Sequence, residues 1–413
     1  MSRATATVRD VARVAKVSTA TVSRVLNQIA DSSPDDLDAG QADGLKARTD
    51  CGEAGNGVAS DFRQSPGTST PRVSPRTRAR VLAAAELLDY RPNHVARSLK
   101  TRSTRTIAIL APELANDFFM ELAESTEKEL GKAGYMLLIS SSSNSAEEEA
   151  RRLRVLSQRL VDGIIVVPAS QDGAHIQVIA EAGTPVVLVD RLVANARLDA
   201  VLADNEGGAR EATRALLADG FTRISFVGGD PALTTARERL AGFSLAIAEA
   251  GLGKPDAHLG GMGIADGYRL MDSIMAEASP PQALFAVNLL VHLGMERRLL
   301  EEGRAALERF PMASFDETPY SPFMTACRYA VAQPAAEMGI AAARLILERI
   351  GQTGSHASGP DAPKDSGTPV TIRLPTTLIR HNLNASNQGI NATHGSGFSP
   401  DPDIESVRRK EHG

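Results

Sequence analysis

From Thr106 onward the chain is a succession of short apolar runs, "RTIAILAP", "YMLLIS", "DGIIVVPA", "PVVLVD", "AVLAD" and "ISFVGG", with longer mixed segments between them. Runs of this length, rich in Val, Ile and Leu and without polar alternation, suit strands buried on both faces of a parallel sheet. The intervening stretches Phe118–Ala133, Ala146–Leu160, Gly207–Asp219 and Ala236–Ala250 have the length and content of helices. "ALFAV", "MASF" and "AVAQP" supply further strands, and a helix is expected near Ala335–Ile350. Strand–helix alternation over this distance implies an α/β fold, an open parallel sheet or two of them. A chain of 413 residues is too long for one ordinary core. The α/β body is read as 106–383, interrupted by a Gly/Ser/Pro linker at 351–369 before the strand "VTIRL" and followed by a polar, disordered tail at 384–413.

The first hundred residues have a different texture. In "VRDVARVAKVSTATVSRVLNQ" Thr7 and Asp10 have the spacing of a capping box, with Val8, Val11, Ala12 and Ala15 facing inward. After a break at Lys16-Val17-Ser18, Ser18 caps a second helix that turns Val22, Val25 and Leu26 inward and leaves Thr19, Ala20, Ser23 and Arg24 outside. That is helix-turn-helix logic, a second helix braced by the first with its N-terminal side chains free to meet base edges. A third helix starts at Ser74-Pro75 with Val81, Leu82, Ala85 and Leu88 as its stripe, and "YRPN" ends it. Residues 29–71 between helices two and three are rich in Gly, Ser, Pro and Asp, carry more acidic than basic side chains, and read as a disordered acidic insert.

Charge separates the two regions. The chain carries −5 overall, yet Met1–Gln28 holds five basic residues against Asp10 alone, and Arg72–Arg105 holds nine against Glu86 and Asp89. A basic block on an acidic chain is the footprint of a polyanion partner. No apolar run is long enough to span a bilayer and no signal-peptide core is visible, so the cytoplasm and no membrane partner are expected. Cys51 and Cys327 are the only cysteines, the eight His have no metal-ligand spacing, and no phosphate loop or nucleophile–base set is present. No metal, cofactor or enzymatic activity is expected.

"ATVRDVARVAKVSTATVSRVLNQ", "RVSPRTRARVLAAAELLDYRPNHVARSLKTRST" and the α/β body together resemble the LacI family of bacterial transcription regulators. The resemblance implies a helix-turn-helix headpiece with hinge helix (1–28 and 72–105), a two-lobed periplasmic-binding-protein-like sensor, and a homodimer or tetramer on double-stranded operator DNA. Carried over by motif, Thr19, Ala20 and Arg24 are recognition positions, with Arg24 suited to a guanine edge. Thr7, Val8, Ser18 and Ser23 are positioning residues. "NHVARSLKT" resembles the hinge helix, with Asn93 as its cap, Ala96 at a close-packing position and Leu99 at the intercalating leucine. The 29–71 insert departs from the family, which has a short turn there.

At the ends of strands, Asn116, Phe118, Phe119, Asp190, Arg191, Arg237, Asn288, Asp316 and Gln333 resemble the pentose site of ribose-binding proteins. The resemblance implies that Phe118 and Phe119 sandwich a sugar ring and that the carboxylates and arginines bind its hydroxyls. Met262 stands where an aromatic is usual, and Leu289 where an acidic residue commonly follows Asn288. The function implied is a sequence-specific repressor released by ribose or a related pentose or ribonucleoside. The alternatives are a free sugar-binding protein of a transport system, a sugar-processing α/β enzyme, or a LacI-type regulator for another sugar or a purine-type corepressor.

Overall fold

The computed structural model describes residues 6–30, 73–90, 103–158, 160–355 and 368–381. The hinge positions Asn93, Ala96 and Leu99, most of the 29–71 insert, most of the 351–369 linker and the 384–413 tail lie outside the described residues.

Three helices form the N-terminal unit: α1 (Val8–Ala15), α2 (Thr19–Ala30) and α3 (Pro75–Leu87). Thr7 and Asp10 close a reciprocal capping box, in which the Thr7 amide donates to Asp10 Oδ2 at 3.0 Å. Lys16 adopts a left-handed conformation (φ 50°) that ends α1 and sets the turn into α2. Ser74 caps α3 through the Thr77 amide, with Pro75 at the first helical position. Val11, Ala12, Ala15, Val22, Val25, Val81, Ala84 and Ala85 make a small shared core. Leu82, expected inside, is exposed, and Ala84 takes the inner place. Arg80 donates to the Ala15 and Lys16 carbonyls, satisfying the C-terminal end of α1 with a positive charge. Helix α2 runs through Ala30, past the expected start of the insert.

The rest of the described chain builds two lobes, each around a six-stranded sheet. The first contains β1 (Thr106–Ala111), α4 (Asp117–Lys132), β2 (Met136–Ser141), α5 (Ala146–Ser157), β3 (Gly163–Val166), α6 (Ala174–Glu181), β4 (Val186–Val189) and β5 (Asp199–Ala203). The chain then crosses to the second lobe: α7 (Asn205–Ala218), β6 (Ile224–Val227), α8 (Thr234–Glu249), β7 (Asp256–His258), α9 (Ile264–Met275), β8 (Ala283–Ala286), α10 (Leu289–Glu302), α11 (Arg304–Arg309), β9 (Met312–Phe315) and β10 (Cys327–Ala332). Helix α12 (Ala335–Ser355) returns to the first lobe, where Met338, Ala342 and Ile346 share a core with Ile107, Ile109 and Leu122. Strand β11 (Thr371–Leu374) completes the first sheet and β12 (Thr377–Arg380) the second.

The strand orders are β11-β5-β4-β3-β1-β2 and β12-β10-β9-β8-β6-β7. The two lobes therefore repeat one arrangement, and every pairing is parallel except the antiparallel β10–β12. The chain passes between lobes at Asp204, at Gln333–Pro334 and at Pro375–Thr376. Gly339 lets α12 rest on α4, since a side chain there would strike the Leu122 carbonyl. Gly242 does the same for α8 against the Glu206 carbonyl in α7. One expectation fails: "YMLLIS" is not buried on both faces, because β2 is an edge strand with Met136, Leu138 and Ile139 exposed.

Candidate DNA-binding face and ligand cleft

On α2 the helical period turns Val22 and Val25 into the core and leaves Thr19, Ala20 and Arg24 exposed, with Ser23 half-buried beside them. Ser18 accepts the Thr21 amide at 3.1 Å, so its side chain fixes the start of this helix. Thr7 serves α1 in the same way, and Val8 packs against the edge of the core. Arg24 is exposed on α2, and Arg9, Arg13 and Lys16 are exposed on α1 and the turn that follows it.

The ligand cleft is built where equivalent strands of the two lobes end. Asp190 follows β4 and Asp316 follows β9, and both are nearly buried in a left-handed backbone conformation, with φ 68° and 74°. Such a φ is costly for a residue with a side chain, and it recurs where a site demands it. Arg191 is buried beside Asp190, its Nε 3.3 Å from Asp190 Oδ2, and its Nη1 donates to the Pro168 carbonyl at 2.9 Å. Arg239 enters from α8 of the other lobe. Its Nε donates to Asn205 Oδ1 at 2.8 Å, its Nη1 donates to the Val287 carbonyl at 2.9 Å, and its guanidinium lies 3.7 Å above the Phe315 ring. Gln333, at an inter-lobe crossing, donates through Nε2 to Asp316 Oδ1 at 2.6 Å.

Burial pushes the Asp190 carboxyl above its ordinary value; Arg191 and Arg239 oppose the shift and Asp316 adds to it. Asp190, Arg191, Arg239 and Asp316, drawn from both lobes, thus lie close enough to act on one another electrostatically. Asp190 Oδ1, Arg191 Nε, Thr235 Oγ1 and Gln333 Oε1 are all buried without a hydrogen-bond partner. Each such group costs about 1–3 kcal/mol. Four in one region, drawn from both lobes, are a set of donors and acceptors ready for a polar ligand. Thr234 Oγ1 donates to the Leu192 carbonyl at 2.7 Å and ties the lobes at the edge of this region.

The sequence-derived site residues divide accordingly. Asp190, Arg191, Asp316 and Gln333 come together. Asn288 is nearby in the fold, but its Oδ1 accepts the Val291 amide (2.9 Å) and its Nδ2 donates to the Met262 carbonyl (3.0 Å), so it shapes the loop. Asn116 likewise caps α4 through the Phe118 amide. Arg237 does not join the cluster: it is exposed and donates to the Pro231 and Ala232 carbonyls of its own loop. Arg239, two residues on, is the buried arginine close to Asp190 and Asp316, and the buried Thr235 is a second residue of this region with no sequence motif to mark it. The aromatic sandwich is also not formed by Phe118 and Phe119. Phe119 is 5% exposed within the first-lobe core, and the half-buried Phe118 meets it edge-on at 5.2 Å between ring centres, leaving no slot between them. Among the described residues no group of His, Cys, Asp and Glu could hold a metal, and no helix is long and apolar enough to cross a membrane.

Residues 104–382 match the family described as periplasmic binding proteins and sugar binding domain of the LacI family, and residues 7–33 match the bacterial regulatory proteins of the lacI family. The chain is 30% identical over 351 residues to the HTH-type transcriptional repressor PurR of Aliivibrio fischeri, covering 84% of this chain and 92% of the relative. It is 28% identical over 346 residues to catabolite control protein A of Priestia megaterium, covering 83% and 92%. Among solved structures it resembles a candidate ribose operon repressor from Burkholderia thailandensis (26% identity, TM-score 0.59, 67% of this chain and 99% of that one). It also shares its fold with the lac repressor dimer bound to operator (20% identity, TM-score 0.69, 91% and 98%). A helix-turn-helix unit followed by a two-lobed sensor, matched along most of the chain, makes this protein a DNA-binding transcription regulator of the LacI family.

Proposed function

We propose that this regulator is a repressor whose inter-lobe cleft binds ribose or a related pentose or ribonucleoside, and that the effector releases it from operator DNA. The observation that carries the reading is the buried set of Asp190 and Asp316, at equivalent strand ends of the two lobes, with Arg191 and Arg239, and with four unpartnered buried polar atoms among these residues and their neighbours. Carboxylates accept from hydroxyls and guanidinium groups donate to them, so a compact polyol satisfies such a set with charge-assisted hydrogen bonds. The groups belong to both lobes, so a ligand that uses them all favours the closed arrangement over the open one. The similarity to a candidate ribose operon repressor supports the pentose.

A second reading, a purine-type corepressor that strengthens DNA binding, is favoured by the PurR relatives. The edge-on Phe118–Phe119 pair leaves no slot between its rings for a flat base or a sugar ring, and it is the buried carboxylates and arginines that favour a polyol. The protein acts in the cytoplasm as a homodimer or tetramer, since a near-palindromic operator needs two recognition helices. Calorimetry of the full chain with ribose, other pentoses, ribonucleosides and purine bases tests the proposal. Heat from a pentose or ribonucleoside supports it. Heat from purine bases alone sinks it.

A further inference from the structure

We infer that Asp162 is a positioning residue for DNA binding, the group through which the first lobe holds the segment that leads from the headpiece. This rests on the assignment of the headpiece as the DNA-binding unit and not on the identity of the effector. Residues 103–105 are where the described chain enters the sensor, two residues beyond the expected hinge at Asn93–Thr101. The Asp162 carboxylate receives four hydrogen bonds from those three residues. Oδ1 accepts from the Thr104 amide (2.6 Å) and the Thr104 hydroxyl (2.8 Å). Oδ2 accepts from the Ser103 hydroxyl (2.5 Å) and the Arg105 amide (3.0 Å). Its own amide donates to the Thr106 carbonyl at 2.7 Å, so one residue grips the entering chain and also starts the pairing of β3 with β1.

The grip fixes a turn that would not form unaided. Arg105 has a left-handed backbone (φ 53°), which a residue with a side chain avoids without local support. Its side chain is secured too: Nη1 donates to the Ala133 carbonyl at 3.2 Å and the guanidinium sits 5.1 Å from the centre of the Tyr135 ring. A carboxylate that holds two amides and two hydroxyls of consecutive residues defines both position and direction of the chain, and charge makes each bond stronger than a neutral one.

Asp162 is also placed to relay the state of the cleft. It stands at the start of β3, and the other end of that strand leads to Pro168, whose carbonyl accepts Arg191 Nη1. Gly163–Val166, between the two contacts, is buried throughout. About 20 Å of extended chain separates the effector-side contact from the DNA-side contact.

The test uses the full-length protein and a duplex selected by the wild type from a randomised pool. Asp162→Ala, Asp162→Asn and the double variant Ser103→Ala/Thr104→Val are compared for affinity to that duplex, affinity to an unrelated duplex, and binding of ribose by calorimetry. Specific affinity should fall at least tenfold in Asp162→Ala and less in Asp162→Asn, which keeps one acceptor oxygen. The double variant, which keeps the carboxylate and loses donors, should fall in the same direction. Affinity for unrelated DNA should stay within twofold of wild type, because phosphate contacts lie in the headpiece. If Asp162→Ala does not fold, the double variant decides alone. Specific affinity within twofold of wild type in a folded variant overturns the inference, as does an equal loss on both duplexes. Absence of heat from ribose in the wild type would exclude ribose as the effector while leaving the DNA comparison intact.

Discussion

Asp190 and Asp316 occupy the same corner of their respective lobes: the Asp190 amide donates to the Val201 carbonyl at 2.9 Å, and the Asp316 amide donates to the Val331 carbonyl at 3.0 Å. Each follows the strand third from the end of its sheet, and each turns back through a left-handed conformation. The repeated lobe thus presents one carboxylate from either side of the cleft. Asp316→Ala should lower effector affinity by about 2–5 kcal/mol, the cost of removing one member of a buried charged set. Effector-free operator binding should be unchanged, because this side chain meets Gln333 and the Leu289 amide at the cleft. Parallel calorimetry and anisotropy measurements check both halves; an undiminished effector response rejects the assignment.

The Asp190 carboxyl is raised by burial, and this gives a signed pH dependence. A folded-state value above the unfolded one means that the native protein binds the proton more tightly. This group's contribution to stability is therefore fully present below the ordinary carboxylate range and is lost as pH rises through the raised value. The ionised carboxylate accepts from ligand hydroxyls more strongly than the protonated form, so effector affinity should increase over the same window. Asp190→Asn should flatten both slopes, raise the melting temperature at neutral pH, and weaken effector binding. Thermal melts and calorimetry at acidic and neutral pH measure it. A melting temperature lowered at neutral pH would show that the Arg191 partnership outweighs burial.

Arg239 and Arg237 should behave oppositely. Arg239→Lys keeps the charge but cannot reproduce a planar group bonded to both Asn205 and Val287 while stacked on Phe315, and about tenfold or more of effector affinity should be lost. Arg237→Ala should leave effector affinity within about twofold, as expected for an exposed side chain. The reverse ranking would place the ligand outside the cleft described.

Much of this was legible in the sequence. The apolar runs located most of the strands because a doubly covered parallel strand has no polar face to obscure it. Strand β7 (Asp256–His258) escaped because it is short, polar and at an edge, and β12 because it joins its sheet antiparallel after a crossing that no local pattern reveals. The cap at Thr7, the break at Lys16 and the exposed face of α2 follow from local chemistry. Leu82 misled because in a helix of small side chains Ala84 fits the inner position better. Arg239 was discoverable: Thr235, Ala236, Arg239, Gly242, Phe243 and Ala246 form one buried face at helical spacing, and Arg237 lies off it. The Phe118–Phe119 arrangement was not, since adjacent residues on a helix diverge by an angle that only the packed core resolves.

Arg24 is exposed on the recognition helix and has the two-pronged donor that matches guanine. Arg24→Ala should weaken specific operator binding by about 1–3 kcal/mol and relax the preference at one base pair per half-site. Titrations against single-base-pair variants of the operator would reveal it. A uniform loss over all sequences would make Arg24 a phosphate contact.

A polyol seated between Asp190 and Asp316 is expected to release the protein from DNA. The most direct test is a titration of the full chain onto its selected operator at fixed salt, with and without ribose. We expect ribose or a close relative to lower operator affinity by about 1–3 kcal/mol, a typical coupling energy between two sites. No change with any pentose or ribonucleoside, together with tighter binding in the presence of a purine base, would contradict the account.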